Sequence, residues 1–382
     1  MVLPPRHAVL KRLRIALIGS RGIPACYGGY ETLMEELATR LVDRGHRVTV
    51  YCRSHYTPKD LRQYRGVELV VLPTIRTKYL DTPVHTLVSC LHAAQRPFDV
   101  ALVVNGANAP FVPLLRSAEI RVALHVDGIE RRRAKWGPLG RSVYAISEWL
   151  ATLVPNVLIT DAQTVRDYYL DKWNAESSVI LYGVEPRHEP PGEQMAKFGL
   201  EPRRYFLYVS RFEPENNPHR VAAAYRRVPG DMPLVMVGGA PYAGAFVRSF
   251  TENADPRIIF TGPVYGRGYR ELLSQSLAYI HATEVGGTHP ALVEAMGYGN
   301  PVIVNDTPEN REVGGECAVY FQARRPNSLA AVLQKVASEP TEYRAEWGVQ
   351  SEQRAAEKYR WNIVVDEYLR VLTSPSPDEF ER

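Results

Sequence analysis

Short apolar runs alternate with amphipathic stretches almost from one end of this chain to the other, and few folds accommodate that order. Residues 13–18 (LRIALI) read as a buried strand. A glycine-bearing loop follows, then a helical pattern over 30–44 in which Leu33, Met34, Leu37, Ala38, Leu41 and Val42 share one face. Gly45 ends that helix and residues 48–51 form the next strand. Further strands are expected at 68–72, 100–104, 122–126 and 157–159, with Asp161 capping a helix that runs to about Trp173. Over 183–202 the pattern gives way to Pro, Gly and charge, which reads as a linker. It then restarts, with strands at 206–209, 234–237, 258–260, 278–281, 302–304 and 319–321. Such alternation implies right-handed βαβ units and parallel sheets covered on both faces. The expected α/β architecture is two doubly wound Rossmann-like domains, residues 1–185 and 186–360. A helix from 361 onward packs back on the first of them.

The bulk properties narrow the function classes. A chain of 382 residues can bury two cores, and 45% hydrophobic with 23% charged residues is globular rather than disordered. A net charge of +4 is too slight to argue for nucleic acid. Cys26, Cys52, Cys90 and Cys317 lie far apart without metal-ligand spacing, as expected of free thiols in a reducing cytoplasm. RIALIGS is too short for a secretory core, and ISEWLATLVPNVLIT contains Glu148 and Pro155, so neither reads as a signal or a spanning helix. The expectation is a cytoplasmic protein, peripheral on the membrane at most.

In open parallel sheets, ligands bind outside the carboxyl ends of the strands. After the first strand, GSRGIPACYGGYET sets Gly28 and Gly29 against a helix; it lacks both G-x-G-x-x-G and a Walker lysine, and a plain turn is the alternative. After residues 206–209, SRFEPENNP delivers Arg211, whose fork suits phosphate oxygens; a surface pair with Glu213 or Glu215 is the alternative. After residues 278–281, EVGGTHPALVEA places Pro290 at a first helical position. Gly286, Gly287, Thr288 and His289 then present amides to an anion. Glu294, a turn further in, can accept two hydrogen bonds from a sugar diol, or serve only as a helix-dipole carboxylate. Phosphates beside a ribose mean a nucleotide.

Taken together, YGGYE, RGHRVTVYC, VSRFEPENN and VEAMGYGNPVIVNDTPENREV resemble the retaining glycosyltransferases of family 4, whose GT-B fold sets two Rossmann-like domains across a cleft. SRGIPACYGGYET, VDGIERRRAKWG, EPENN and EVGGTHP resemble the rhamnosyltransferase-like subgroup of bacterial surface-polysaccharide assembly. The resemblance implies that Gly28 and Gly29 lie against a donor diphosphate, that Arg211 binds it, and that Glu294 holds the ribose. Gly287 and Thr288 would contact phosphate or sugar. Two positions depart from the pattern: Asn216 stands where many members have Lys, and Gly286 where they have Glu, with Glu284 two residues away as a substitute. The two departures together suggest a differently placed sugar, such as a deoxy sugar. His125 and Asp127 sit where members often carry a His or a His–Asp pair; Asp127 is favoured as the group that positions or deprotonates the acceptor, a turn residue being the alternative.

The implied activity is retaining transfer of a sugar, best L-rhamnose from dTDP-rhamnose, to a lipid-linked saccharide. No cofactor or metal is expected, since no Asp-x-Asp occurs. A UDP- or GDP-sugar donor, an epimerase or hydrolase on the same scaffold, and a non-catalytic sugar-nucleotide binder are the alternatives. Arg131, Arg132, Arg133 and Lys135 beside Trp136, with Lys11, Arg12 and Arg14 before the first strand, are expected to meet an anionic membrane surface or the carrier's phosphates. A solvated basic loop is the alternative.

Overall fold

The structure, a computed structural model, describes residues 12–26, 28–77, 79–133, 136–240 and 244–374. Eight strands form the first sheet: β1 (Arg14–Ile18), β2 (Arg47–Arg53), β3 (Gln63–Tyr64), β4 (Val67–Leu72), β5 (Val100–Val104), β6 (Arg121–Val126), β7 (Val157–Thr160) and β8 (Ser178–Val179). Their order is β3-β4-β2-β1-β5-β6-β7-β8. The central β1 runs parallel to both neighbours, Ile15 opposite Val48 and Val100, and the short β3 pairs antiparallel with β4. All five residues of β5 are buried, as a strand covered on both faces requires.

Six strands form the second sheet: β9 (Phe206–Val209), β10 (Leu234–Val237), β11 (Ile258–Gly262), β12 (Ala278–His281), β13 (Val302–Asn305) and β14 (Ala318–Phe321). Their order is β11-β10-β9-β12-β13-β14, and the pairs are parallel. Alternate side chains of β9 enter opposite cores. Phe206 and Tyr208 pack with Val221, Phe250 and Leu333, whereas Leu207 packs with Leu272, Leu292 and Tyr359. This is the GT-B class of fold, two parallel-sheet Rossmann-like domains.

By compactness the chain divides into two units. One holds the described residues through His125, Leu150–Leu158 and those from Leu369; the other holds Val126–Trp149 and Ile159–Tyr368. The last helix, Trp361–Thr373, contributes residues to both.

Two local expectations are corrected. Asp161 does not cap the next helix, which runs Gln163–Trp173 with Ala162 at its N-cap; the Asp161 carboxylate is used elsewhere. The stretch read as a linker contains the helix Glu193–Phe198. Its first amides, on Gly192, Gln194 and Met195, donate to the buried Glu271, so a carboxylate distant in sequence replaces the missing cap.

Candidate functional site

The second sheet grows outward from β9 to β11 on one side and from β12 to β14 on the other. Its topological switch point therefore lies between β9 and β12, where α/β sheets bind their ligands. The two turns at that point are tied together. The Asn217 side chain donates to the Ala282 carbonyl at 2.9 Å, and the Glu284 amide donates to the Glu215 carbonyl at 2.9 Å. Asn217 takes a left-handed φ of 57°, which an Asn tolerates and which turns the chain into the helix Pro218–Tyr225. Asn216 is buried. Its side chain donates to the Arg211 carbonyl at 2.8 Å, and Tyr208 donates to the Asn216 carbonyl at 2.7 Å. Asn216 thus braces the turn that presents Arg211. The Arg211 side chain is 37% exposed and lies 3.8 Å from Glu213.

At the second turn the structure qualifies the expected anion cradle. The helix Pro290–Gly297 begins at Pro290 with His289 at its N-cap, as read. The Thr288 amide, however, donates to the Asp161 carboxylate at 3.1 Å, and the Thr288 hydroxyl donates to the Asp161 carbonyl. Both residues are buried. Burial, reinforced by the charge of Asp127, holds the Asp161 carboxyl well above the ordinary range. A protein carboxyl therefore occupies the amide that the sequence assigned to a phosphate.

The same contact explains the glycine pair. A Cβ on Gly287 would lie 1.9 Å from the Asp161 Oδ1, and one on Gly286 would lie 2.3 Å from the His289 ring. Gly128 approaches from a third side, its own Cβ position 3.0 Å from the Gly286 backbone. The His289 ring packs on His281 at 4.7 Å. Burial keeps both imidazoles neutral, with His281 pushed down to about 3.

Glu294 sits one turn into the helix, where Tyr269 donates a 2.6 Å hydrogen bond to its Oε2. Burial and the Glu294 charge raise the Tyr269 phenol well above its usual range, so it stays a donor. Glu284 pairs with the exposed Arg324 at 3.2 Å.

The loop after β6 carries Asp127 and the arginines, and it corrects the expected basic surface. The Arg133 side chain is only 7% exposed. It lies 2.6 Å from Glu130, 3.7 Å from Glu215 and 3.9 Å from Glu213. Burial opposes its charge, but Glu130, Asp127, Glu213 and Glu215 outweigh that and hold it above the ordinary arginine range. Arg131 reaches Glu148 at 3.0 Å and Tyr168 at 2.7 Å. Of the three arginines only Arg132 is exposed. Arg133 is thus an internal cation, not a membrane contact, because four carboxylates surround it. Lys135 and Lys11 lie outside the described residues.

In the first sheet the switch point falls between β1 and β5. The loop after β1 is held by the helix that follows it, Gly29–Asp43: Glu31 accepts from the Arg21 amide at 2.9 Å and Glu35 from the Ala25 amide at 2.6 Å. Gly28 is the N-cap residue and Gly29 opens the helix. Gly19 packs where a Cβ would meet the Val104 carbonyl at 2.4 Å, and Asn108 donates to that carbonyl. His125 is buried and pushed down to about 3, packed edge-on against Tyr30. It remains neutral at ordinary pH, while Asp127 is partly exposed.

Sequence reasoning took Asp161 for a helix cap only, and missed Tyr269, Asn217 and the pair Asn305 and Asn310, both of which donate to the Thr283 carbonyl. Asn-Asp-Thr-Pro at 305–308 is a turn signal that could have drawn attention to Asn305. Nothing local marks Asp161 or Tyr269, whose partners lie 127 and 25 residues away.

With this geometry in hand, comparison with known proteins gives two family matches. Residues 192–354 match the family Glycosyl transferases group 1, and residues 12–185 match a domain of unknown function, DUF1972. Over 199 residues, half of this chain, it is 25% identical to the serotype-specific mannosyltransferase WbdA of Escherichia coli. The match spans about a quarter of that relative's length, 23%. Among solved structures, sucrose-phosphate synthase from Thermosynechococcus elongatus is similar, with a TM-score of 0.80 and 18% identity over 94% of this chain and 98% of that one. Anabaena HepE in complex with UDP and glucose is similar too, with a TM-score of 0.79 and 15% identity over 95% of this chain and 100% of that one. The group 1 match thus covers residues 192–354, and the fold is of the GT-B class. No helix among the described residues is long and apolar enough to cross a membrane.

Proposed function

We propose that the protein transfers a sugar, with retention, from a nucleotide diphosphate sugar to a saccharide on a lipid carrier. The observation that carries the reading is the β9–β12 switch point of a group 1 domain, where a braced turn presents Arg211 and the next helix presents Glu294. Arg211 meets the diphosphate as negative charge grows on it during cleavage of the glycosidic bond. Glu294, with one oxygen on Tyr269, accepts from the ribose hydroxyls. Asp127 is the group assigned to the acceptor hydroxyl. No covalent nucleophile is invoked, the leaving phosphate itself taking the acceptor proton, and no metal is assigned because Arg211 supplies the countercharge. Gly28, Gly29 and Glu284 are proposed to meet the donor as well, and Asn216 acts through the Arg211 turn.

L-Rhamnose from dTDP-rhamnose is the preferred donor, on the strength of the Asn216 and Gly286 departures. A UDP-sugar is the second reading, favoured by the UDP and glucose bound in the HepE neighbour. The test is turnover with dTDP-rhamnose and a panel of UDP- and GDP-sugars, with and without a lipid-linked saccharide. Acceptor-dependent release of nucleoside diphosphate, with the donor's anomeric configuration kept in the product, is the expected result. Equal release without acceptor would identify a hydrolase, and binding with no turnover a sensor.

A further inference from the structure

Ten of the fourteen exposed large apolar side chains among the described residues fall in two short segments of the chain. In one, Ile75, Tyr79, Leu80, Leu87 and Leu91 lead into and run along the helix Asp81–Ala94. In the other, Leu139, Val143, Ile146 and Trp149 lie along the helix Pro138–Ala151, with Leu153 just beyond its end. Steps of three and four residues put these side chains on one face of each helix. That face is turned to solvent.

The second helix is inverted relative to an ordinary surface helix. Leu139 is 81% and Ile146 58% exposed, while Ser147 and Glu148 are buried. Glu148 accepts from Arg131, Lys172 and Tyr168 at 3.0–3.1 Å. The first helix repeats the arrangement. Its one carboxylate, Asp81, is held by the buried Arg53 at 2.5 Å. Residues 73–94 and 136–153 contain no other Asp or Glu. Both exposed apolar faces are therefore clear of negative charge, while Arg76 and Arg141 are exposed beside them.

We infer that each of these faces docks on an anionic lipid surface. A lipid bilayer takes an apolar face, interfacial Trp and Tyr, and a fringe of cations, and it penalises exposed carboxylates. A second copy of the chain fits less well. Each 14-residue helix offers a strip about 21 Å long and about 10 Å wide, roughly 200 Å² and so roughly 400 Å² for the two, against about 800 Å² per partner for a stable interface. Each helix docks by its own face, and Arg131 and Arg133 instead serve inward, with Arg131 neutralising Glu148 so that the second helix can turn its apolar side out. A lipid-borne acceptor gives such docking its purpose, and for that purpose alone the inference rests on the proposed function.

The experiment is co-sedimentation of the full chain with vesicles of phosphatidylglycerol and phosphatidylcholine in equal parts, and with phosphatidylcholine alone. Wild type should bind the anionic vesicles and bind less well to the neutral ones. Val143→Glu/Ile146→Glu and Leu87→Glu/Leu91→Glu should each weaken binding at least about tenfold, since every buried branched side chain contributes at least such a factor. Both variants change exposed positions and should keep wild-type affinity for nucleoside diphosphate. Wild type that stays in the supernatant, or double variants that sediment as wild type does, would overturn the inference. So would a wild-type dimer, broken by the same variants, without vesicle binding. Turnover without vesicle binding defeats only this inference, and vesicle binding without turnover defeats only the functional proposal.

Discussion

Arg211 and Arg133 both approach Glu213, at 3.8 and 3.9 Å, yet their surroundings differ. The Arg211 side chain is 37% exposed beside a sheet's switch point, whereas Arg133 is 7% exposed among Glu130, Asp127, Glu213 and Glu215. One cation can meet a ligand and the other serves the fold. Arg133 draws on the carboxylates of the turn that presents Arg211, so it acts as a positioning residue for that turn. A run of three arginines beside a Trp gives no hint of this, because the compensating carboxylates at 213 and 215 lie about 80 residues further on.

The largest expected effect is at Arg133. Arg133→Met leaves several carboxylates buried without their cation, and should cost about 3–5 kcal/mol of unfolding free energy by denaturant titration. A loss under 1 kcal/mol would return Arg133 to the surface. Glu294→Gln should weaken binding of both nucleoside diphosphate and bare nucleoside by about 1.5–3 kcal/mol, the worth of a hydrogen bond to a charged group. Unchanged affinities in calorimetry would leave Glu294 as a helix-dipole carboxylate. Arg132→Gln, at the exposed neighbour of Arg133, should alter stability by no more than about 0.5 kcal/mol. A large effect there would erase the distinction between buried and exposed members of the run.

Asp161 makes the stability depend on pH. Its carboxyl is held above the ordinary 3.8, so the folded state binds that proton more tightly than the unfolded chain does. The stability this lends is present below 3.8 and is lost as the pH rises from there through the raised folded value. Wild type should therefore lose ground to Asp161→Asn as the pH increases. A difference in melting temperature that stays constant with pH would mean an ionised Asp161.

Strand positions were legible because buried parallel strands announce themselves as apolar runs. β5, β9, β10 and β12 begin and end where those runs do. Pro290 likewise marked the start of its helix. What escaped were partners brought in by the fold. The pair Gly286–Gly287 reads as an open cradle until Asp161 is seen packed against it, and that carboxylate arrives from the end of β7. Glu271 capping the helix Glu193–Phe198 is the same kind of event. Local pattern reports which groups can bind an anion, and only the tertiary structure reports which of them the protein has already given an acceptor.

The proposed role of Arg211, at the β9–β12 switch point, is to meet a nucleotide's phosphates. Calorimetry of nucleoside diphosphate and of the bare nucleoside, on wild type and on Arg211→Ala, tests it most directly. Wild type should bind the diphosphate more tightly than the nucleoside. Arg211→Ala should remove most of that advantage, keep the wild-type nucleoside affinity and melting temperature, and lose about 2.7–4 kcal/mol of transition-state stabilisation in turnover. A folded Arg211→Ala protein that binds the diphosphate and turns over as wild type does would contradict the account.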